Sequence, residues 1–312
     1  MMSDRQTQFY QLLETFPHPL RGCLQSIPQN SGKLDTHHCT AITETPGMSP
    51  ESLMVKLLPV AKLYAQVPIS HFQVGAVAKA RLSAGSDEFA LFIGANTEFT
   101  GQALTQTIHA EQAAVVNAWL QGAMRIDAIA VSAVPCGPCR QFLYELETRR
   151  ALTVIVQKPD GDGYTTEQLS DLLPQAFGPQ DLAVKAGLIS SQGNLPKLNL
   201  KTFFDDPLVH RALSAAERTY APYTHNSAGC TIQVSDQKIY TGSYVESAAF
   251  NPSLSPLHTA IIRMNMDGLA TDGNITRAIL VEKPTTISQR GVSELLLDSL
   301  APDIRLEYYE IR

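Results

Sequence analysis

Three residues in the middle of the chain, His109, Cys136 and Cys139, have side chains that commonly bind zinc. One imidazole and two thiolates provide three protein ligands, which leaves the fourth position of a tetrahedral ion open. Glu111 follows the histidine closely and is not needed as a ligand. An open position with a free carboxylate beside it predicts a zinc site that activates water, rather than one that only stabilises a fold.

The local sequence indicates how a strand and a helix position the two cysteines. Cys136 and Cys139 are three residues apart, so both sulfurs lie on one side of a helix that begins near them. The apolar residues 126–134 predict a buried strand and residues 140–146 predict the helix. Pro135 therefore marks a turn from strand to helix.

The spacing of His109 and Glu111 requires a helix tip. Side chains two residues apart point to nearly opposite sides within a helix, so both can approach one ion only at its first residues. The segment Ala110–Leu120 predicts a helix that begins at this point. Two helix N-termini would then face one metal, which suits a site that becomes negative when it holds hydroxide.

Composition restricts the classes of function that fit the chain. Its 312 residues with 44% hydrophobic content can bury a large core and suggest two domains. The net charge of -6 comes without a basic stripe, which favours a small substrate and no nucleic-acid partner. Because no apolar stretch reaches about 18 residues and no secretory signal begins the chain, we expect a cytoplasmic protein without a membrane partner. Cys23, Cys39 and Cys230 show no disulfide framework, as expected in a reducing compartment.

Three regions follow one another along the chain. Residues 1–48 form an N-terminal region that begins with a helical stretch and continues as a polar segment typical of a loop, in which His37, His38 and Cys39 are expected to be solvated. Residues 49–189 alternate helices with apolar strands, which indicates an α/β fold with a sheet covered by helices. Residues 190–312 form the last region, which begins with a predicted linker at residues 190–196.

The last region repeats motifs of the middle one but has no metal motif. Counting from Gly242 as from Gly94 to His109 reaches Leu257, and no cysteine pair follows. A duplicated domain that lost its ligands explains this pattern, with chance similarity of short motifs as the alternative. His258 is expected to be structural. The matching residues are Tyr64-Ala65, Pro68, Ser70, Gly75 and 94–98 in one region, and Tyr220-Ala221, Pro222, Thr224, Gly229 and 242–246 in the other.

The two metal motifs, His-x-Glu and Pro-Cys-x-x-Cys, are the signature of zinc-dependent nucleobase deaminases. Within that superfamily the chain resembles the cytidine deaminases, specifically the long, two-domain, homodimeric bacterial type. The resemblance runs from about residue 64 to the end of the chain and includes residues 72–76, 94–99, 177–179 and 244–252. It implies a three-layer α/β/α fold with a mixed sheet, duplicated as a catalytic copy and a degenerate copy behind a small helical N-terminal region.

The resemblance implies hydrolytic deamination of cytidine and deoxycytidine to uridine and deoxyuridine plus ammonia, in pyrimidine salvage. One zinc ion per chain, held by His109, Cys136 and Cys139, would lower the pKa of its water from that of bulk water to about 7, and the resulting hydroxide would attack C4 of the base. Glu111 would be the catalytic residue, because it carries a proton from the water to ring N3 and later to the departing amine.

The resemblance also assigns the substrate-binding residues. The residues matching Asn96 and Glu98 bind the ribose hydroxyls, since an amide and a carboxylate suit a diol. The residue matching Phe72 packs against the base, and the backbone of the one matching Ala110 contacts the pyrimidine oxygen. The ring matching Phe177 reaches the active site of the other subunit, so a homodimer would be required for full activity.

Simpler interpretations stand beside these roles. Without the metal motif, Glu111 would only offset the helix dipole, Asn96 would be a turn residue and Phe72 a core residue. Arg140 would either donate to a thiolate or lie on the helix surface. A relative that acts on deoxycytidylate, guanine or an RNA adenosine would keep the motifs, although Glu98 would repel a phosphate. A zinc-stabilised binding protein would not need Glu111.

Overall fold

The computed structural model describes residues 4–161, 163–190, 195–202, 204–267 and 274–312, so residues 191–194 of the predicted linker lie outside the described part. The helices are α1 (Asp4–Leu13), α2 (His18–Leu24), α3 (Thr36–Thr43), α4 (Pro50–Lys62), α5 (Ala110–Leu120), α6 (Gly137–Leu143), α7 (Leu169–Leu172), α8 (Pro207–Glu217), α9 (Pro256–Met266) and α10 (Arg290–Leu300). The strands are β1 (Lys33–Leu34), β2 (Gly75–Arg81), β3 (Ala90–Ala95), β4 (Arg125–Val131), β5 (Thr153–Gln157), β6 (Tyr164–Gln168), β7 (Ala228–Val234), β8 (Ile239–Ser243), β9 (Ile275–Glu282) and β10 (Leu306–Glu310).

The first sheet has the strand order β1-β3-β2-β4-β5-β6 and is mixed, because β4 and β5 run parallel while the other pairs are antiparallel. Gly75 of β2 lies against α4, and Gly94 of β3 lies against α5. These glycines point to opposite faces of the sheet, since Gly94 pairs with Ala76 rather than with Gly75. Helices therefore cover both faces, which confirms the predicted three-layer α/β/α fold.

The second sheet repeats this arrangement with the order β10-β9-β7-β8. Gly229 of β7 lies against α8, and Gly242 of β8 lies against α9. Gly242 pairs with Cys230, so the two helices again lie on opposite faces. The same strand pair, glycines and covering helices in both halves confirm the duplication.

The segment predicted as a loop near the N-terminus is folded onto the first sheet instead. α3 begins after Asp35, whose carboxylate accepts a hydrogen bond from His38 N at 3.0 Å. Cys39 and Ile42 of this helix are fully buried. The prediction of a solvated cluster is therefore wrong for Cys39. Its polar neighbours hid the helix, because only one side of α3 is apolar.

Most predicted elements are confirmed to within a few residues. α5 has the predicted bounds, whereas α6 begins earlier than predicted because Cys136 is its N-cap. One buried core contains side chains from all three predicted regions, including Phe9, Ile93 and Ile261. The region boundaries after residues 48 and 189 therefore stay predictions. None of the helices in the described ranges has the length and hydrophobicity that a transmembrane helix needs.

Candidate active site

The three predicted metal ligands meet at the beginnings of two helices. His109 is the N-cap of α5, Cys136 is the N-cap of α6, and Cys139 lies in the first turn of α6. Their ligand atoms all lie within 4.8 Å of one another. The Cys136 sulfur is 3.5 Å from His109 Nδ1 and 3.4 Å from the Cys139 sulfur.

This cluster fits a zinc ion. Tetrahedral zinc with bonds of about 2.3 Å to sulfur and about 2.0 Å to nitrogen separates two sulfurs by roughly 3.8 Å and a sulfur from a nitrogen by roughly 3.5 Å. The separations of 3.4 and 3.5 Å are close to these values. Among the described residues the cluster has these three ligands and no fourth. An ion held here would keep one position for water or substrate.

Arg140 holds the turn that carries Cys136. Its Nε donates to Pro135 O at 2.9 Å, and its Nη1 donates to Leu172 O at 2.8 Å. Neither interpretation from the sequence, a donor to a thiolate or a surface arginine, describes this arrangement. A planar guanidinium can satisfy two acceptors at once, so Arg140 fixes the backbone in front of the cysteine.

Hydrogen bonds inside the cluster favour one thiolate. A hydrogen bond with Cys139, together with one to His109, lowers the pKa of Cys136 to about 4. The hydrogen bond with Cys136 in turn raises the pKa of His109 and that of Cys139. Cys136 is therefore the thiol that ionises first. Because a cysteine binds metal as the thiolate, Cys136 is ready to act as a ligand at neutral pH.

Glu111 lies in the first turn of α5 and is buried, with 4% of its surface exposed. Burial raises the pKa of its carboxyl group, and its side chain interacts with Cys139. A carboxyl group that exchanges its proton closer to neutral pH suits general acid and base chemistry. The structure thus places Glu111 beside the cluster in the environment that a proton carrier requires.

Asn96 directly follows β3, and its side chain hydrogen-bonds the backbone of the loop that contains Phe72. Asn96 Oδ1 accepts from Val74 N at 2.9 Å, and its Nδ2 donates to Phe72 O at 2.9 Å. The Phe72 residue is 62% exposed, so the alternative of a core residue is wrong. The amide of Asn96 fixes the loop that presents an exposed ring, and it keeps a second N–H donor for a ligand.

Glu98 is held by the loop that precedes Phe72. Its carboxylate accepts from Ile69 N at 2.8 Å, from Ser70 N at 3.0 Å and from the Ser70 hydroxyl. Burial opposes ionisation, but these hydrogen bonds outweigh it and lower the pKa of Glu98. The role of Ser70 was not predicted. The repeat contained a signal for it, because Thr224 provides a hydroxyl group at the matching position.

The second copy repeats this contact. Glu246 accepts from Tyr223 N at 2.8 Å, from Thr224 N at 3.3 Å and from the Thr224 hydroxyl. The carboxylate-and-loop arrangement was therefore kept when the metal ligands were lost. Because both copies have this contact, it belongs to the fold itself. In the first copy the contact also lies in the same half of the chain as the predicted metal ligands.

The structure also corrects the register between the two copies. Thr97 bridges Ile108 just before α5, and Val245 bridges Leu254 just before α9. Ser255 therefore takes the position of His109, whereas counting along the sequence placed Leu257 there. The connection before α9 is two residues shorter, and a count cannot detect a deletion inside a loop.

The last two predicted substrate-binding residues lie at a helix tip and at the surface. Ala110 is the buried first residue of α5, where a backbone N–H has no acceptor within the helix. Phe177 is 48% exposed, and its carbonyl accepts from Gln141 Nε2 of α6 at 2.7 Å. Its ring thus lies on the outside of the chain, next to the helix that carries the two cysteines predicted as metal ligands.

Comparisons with known proteins agree with this site. Two family models, both described as the cytidine and deoxycytidylate deaminase zinc-binding region, match residues 48–155 and 169–294. A cytidine deaminase from Photobacterium profundum is 39% identical over 95% of this chain and 96% of its own length. The cytidine deaminase from Aliivibrio fischeri is 35% identical over 98% of this chain and 99% of its own. The one from Cronobacter sakazakii is 42% identical over 81% of each.

A crystal structure of cytidine deaminase from Burkholderia pseudomallei is 27% identical and covers 42% of this chain and 100% of that chain, with a TM-score of 0.35. The relatives from Photobacterium profundum and Aliivibrio fischeri match nearly all of this chain, including both copies. Identity of this level over that length, together with the matches to both zinc-binding regions, shows that the chain belongs to the cytidine deaminase family of enzymes.

Proposed function

We propose that this protein hydrolyses cytidine and deoxycytidine to uridine and deoxyuridine with release of ammonia, in pyrimidine salvage. The observation that carries the proposal is the cluster of His109, Cys136 and Cys139 with Glu111 buried beside it. Relatives named cytidine deaminase along nearly the whole chain support the same reaction.

The cluster would hold one zinc ion per chain, and a bound ion would supply the Lewis acidity that makes water a nucleophile at neutral pH. Glu111 takes a proton from the water that attacks C4 and passes it to ring N3. It then transfers the second proton, from the hydroxyl group now on C4, to the exocyclic amine, so that the C4–N bond breaks, a carbonyl forms at C4 and ammonia departs. The raised pKa of Glu111 supports this alternation between acid and base.

The remaining residues orient a nucleoside. Asn96 and Glu98 bind the ribose hydroxyls, Phe72 covers the base, and the free N–H of Ala110 donates to the pyrimidine oxygen. Glu98 has a lowered pKa and is ionised at neutral pH. An anion at this place favours a nucleoside over a nucleotide, because it repels a phosphate group.

The active protein in this proposal is a cytoplasmic homodimer in which Phe177 reaches the active site of the partner subunit. Phe177 is 48% exposed and Phe72 is 62% exposed in the single chain. Exposed apolar side chains of this size support a contact with a second subunit that would cover them. Two thiolate ligands must stay reduced to bind zinc, which suits the reducing conditions of the cytoplasm.

The substitution Glu111→Gln tests the function directly. The amide keeps the shape of the side chain but cannot carry the proton, so we expect retained zinc and cytidine turnover reduced by about 10²- to 10⁴-fold. Zinc content by elemental analysis and deamination by ultraviolet absorbance give the two readouts. Intact turnover would contradict the mechanism.

A matched control and a substrate panel complete this test. Glu167→Gln makes the same chemical change on the exposed strand β6 and should leave turnover unchanged. Cytidine and deoxycytidine should both react, whereas deoxycytidylate, adenosine and guanine should not. Preferential turnover of deoxycytidylate would show that Glu98 does not exclude phosphate.

A further inference from the structure

The residues at the third position of α5 and α9, Gln112 and His258, each connect their own helix to the other copy. Gln112 Oε1 accepts from His109 N at 2.9 Å, while its Nε2 donates to Pro252 O at 2.9 Å. Both side chains are buried, with 4% of each residue exposed. Gln112 thus joins the backbone of a metal ligand to a loop of the copy that lacks metal ligands.

His258 makes the corresponding connection in the opposite direction. Its Nδ1 lies 3.2 Å from Ser255 N and 2.8 Å from the Ser255 hydroxyl oxygen, and its Nε2 lies 3.0 Å from Gln106 O. Because Ser255 N can only donate, Nδ1 accepts and the proton resides on Nε2, which donates to Gln106 O. Burial lowers the pKa of His258 to about 4, so the ring is neutral under physiological conditions. Phe99 packs edge-on against it, with ring centroids 5.9 Å apart.

The two connections are equivalent under the duplication. Ser255 is the N-cap of α9 as His109 is of α5, and His258 occupies the position in α9 that Gln112 occupies in α5. The side chains of Gln112 and His258 bond the carbonyls of Pro252 and Gln106, which are equivalent positions in the two copies. Each uses one acceptor toward its own helix and one donor toward the neighbouring copy. The chemistry is therefore shared, although the residue types differ and the sequence similarity does not reveal it.

Together these bonds fix the segment that carries the metal-binding histidine. His258 holds Gln106 O at one end, and Gln112, seated on Pro252 O, holds His109 N at the other. Between them, Ile108 and Thr97 exchange two backbone hydrogen bonds of 2.9 Å. Two buried side chains therefore fix the backbone of His109. Gln112 is itself bonded to Pro252 of the second copy, and His258 belongs to the second copy.

We propose that Gln112 and His258 are reciprocal positioning residues through which the copy without metal ligands holds His109 in place to bind zinc. The inference rests on the proposed zinc site and gives the second copy a role within each chain. Buried hydrogen bonds that orient a metal ligand typically change metal affinity or activity by about 10- to 100-fold when they are lost.

The experiment compares His258→Leu, Gln112→Met and the conservative His258→Gln. Leucine at position 258 and methionine at position 112 remove all the side-chain hydrogen bonds made there. Glutamine at position 258 restores one acceptor and one donor, which is what Gln112 provides in α5. For the first two we expect zinc to be lost to a competing chelator about 10-fold more readily. We also expect kcat for cytidine to fall with KM nearly unchanged. His258→Gln should stay within about threefold of the original protein in both measurements.

Asn226→Leu provides the structural control. Asn226 is fully buried in the second copy and bonds Glu282 and Lys283, away from the segment that carries His109. This variant should lower thermal stability without changing zinc retention. If His258→Leu fails to fold, Gln112→Met decides the question, because it leaves the second copy unaltered.

The positioning role is overturned if His258→Leu and Gln112→Met lose stability as Asn226→Leu does but retain zinc and kcat. Zinc retention is measured without turnover, so this outcome differs from failure of the proposed reaction. Zinc release in these variants would support the inference even if Glu111→Gln showed that the mechanism was wrong.

Discussion

Glu98 and Glu246 are each held by a neighbouring loop, and within the described residues only Glu98 belongs to the copy that has the predicted metal ligands. Ser70 donates its hydroxyl to Glu98 and accepts from Phe72 N at 3.0 Å, so one hydroxyl group positions two proposed substrate-binding residues. In the second copy Thr224 binds Glu246 in the same way. The duplication therefore offers a matched pair of sites for separating substrate binding from stability.

We predict that Ser70→Ala raises KM for cytidine by about 10-fold and lowers kcat less, because it releases Glu98 and the loop of Phe72 without touching the metal ligands. Thr224→Ala should change neither kinetic constant, although it removes the equivalent hydrogen bond. Steady-state kinetics of both variants provide the comparison. Equal effects on KM would show that the contact matters only for folding.

At the scale of elements, glycines set the distance between each sheet and the helix that begins at its edge. A Cβ on Gly94 would overlap the backbone of Ala110 and Ala114 in α5, and one on Gly242 would overlap Pro256 and Ala260 in α9. Glycine is required at these positions because the helix backbone lies where a side chain would be. The tip of α5, with its histidine and glutamate, is located by this close approach.

We predict that Gly94→Ala lowers the free energy of unfolding by about 3 kcal/mol and impairs zinc binding, since α5 must move away from β3. Denaturant unfolding and zinc analysis measure the two effects. Gly22→Ala is the control, because Gly22 lies in α2 with nothing within 4 Å of an added Cβ. Alanine favours a helix more than glycine does, so this variant should be as stable or slightly more stable. If Gly94→Ala left both the free energy of unfolding and zinc binding unchanged, the packing argument would be contradicted.

At the scale of the whole molecule, the two copies form one folded unit around a shared core. Glu145 of the first copy accepts from Ala248 N at 2.6 Å, from Tyr223 OH at 2.7 Å and from Tyr220 OH at 3.2 Å, all in the second copy. Burial raises the pKa of this carboxyl group, and its three donors offset the cost of placing it there. The second copy is therefore joined to the catalytic copy by buried polar contacts as well as by apolar packing.

The proposed homodimer predicts complementation between two defective variants. Glu111→Gln chains lack the proton carrier, and Phe177→Ala chains lack the ring offered to the partner, so each homodimer should be impaired. A mixed dimer has one intact site, because a chain with Glu111 receives Phe177 from its partner. Denaturing and refolding an equal mixture should restore up to about a quarter of the original activity, since about half of the dimers are mixed. Activity no higher than the average of the two variants would contradict a shared site.

The sequence by itself determined the chemistry of the site and the repeat that surrounds it. His109, Glu111, Cys136 and Cys139 could be interpreted from residue type and spacing, because a helix tip is the only local structure that lets them converge. Apolar patterns likewise predicted α5 and the strand β4. These features depend on neighbours within a few residues, which a single sequence displays.

Only the tertiary structure decided which distant groups hold that site in place. Gln112 meets Pro252 across 140 residues and His258 meets Gln106 across 152, and neither partner is marked by its own neighbours in sequence. Two further findings likewise came only from the tertiary structure: Cys39 is buried, and Ser255 occupies the position in the second copy that His109 occupies in the first. Local patterns fix what an element can be, whereas the contacts between elements depend on how their surfaces fit together when the whole chain packs.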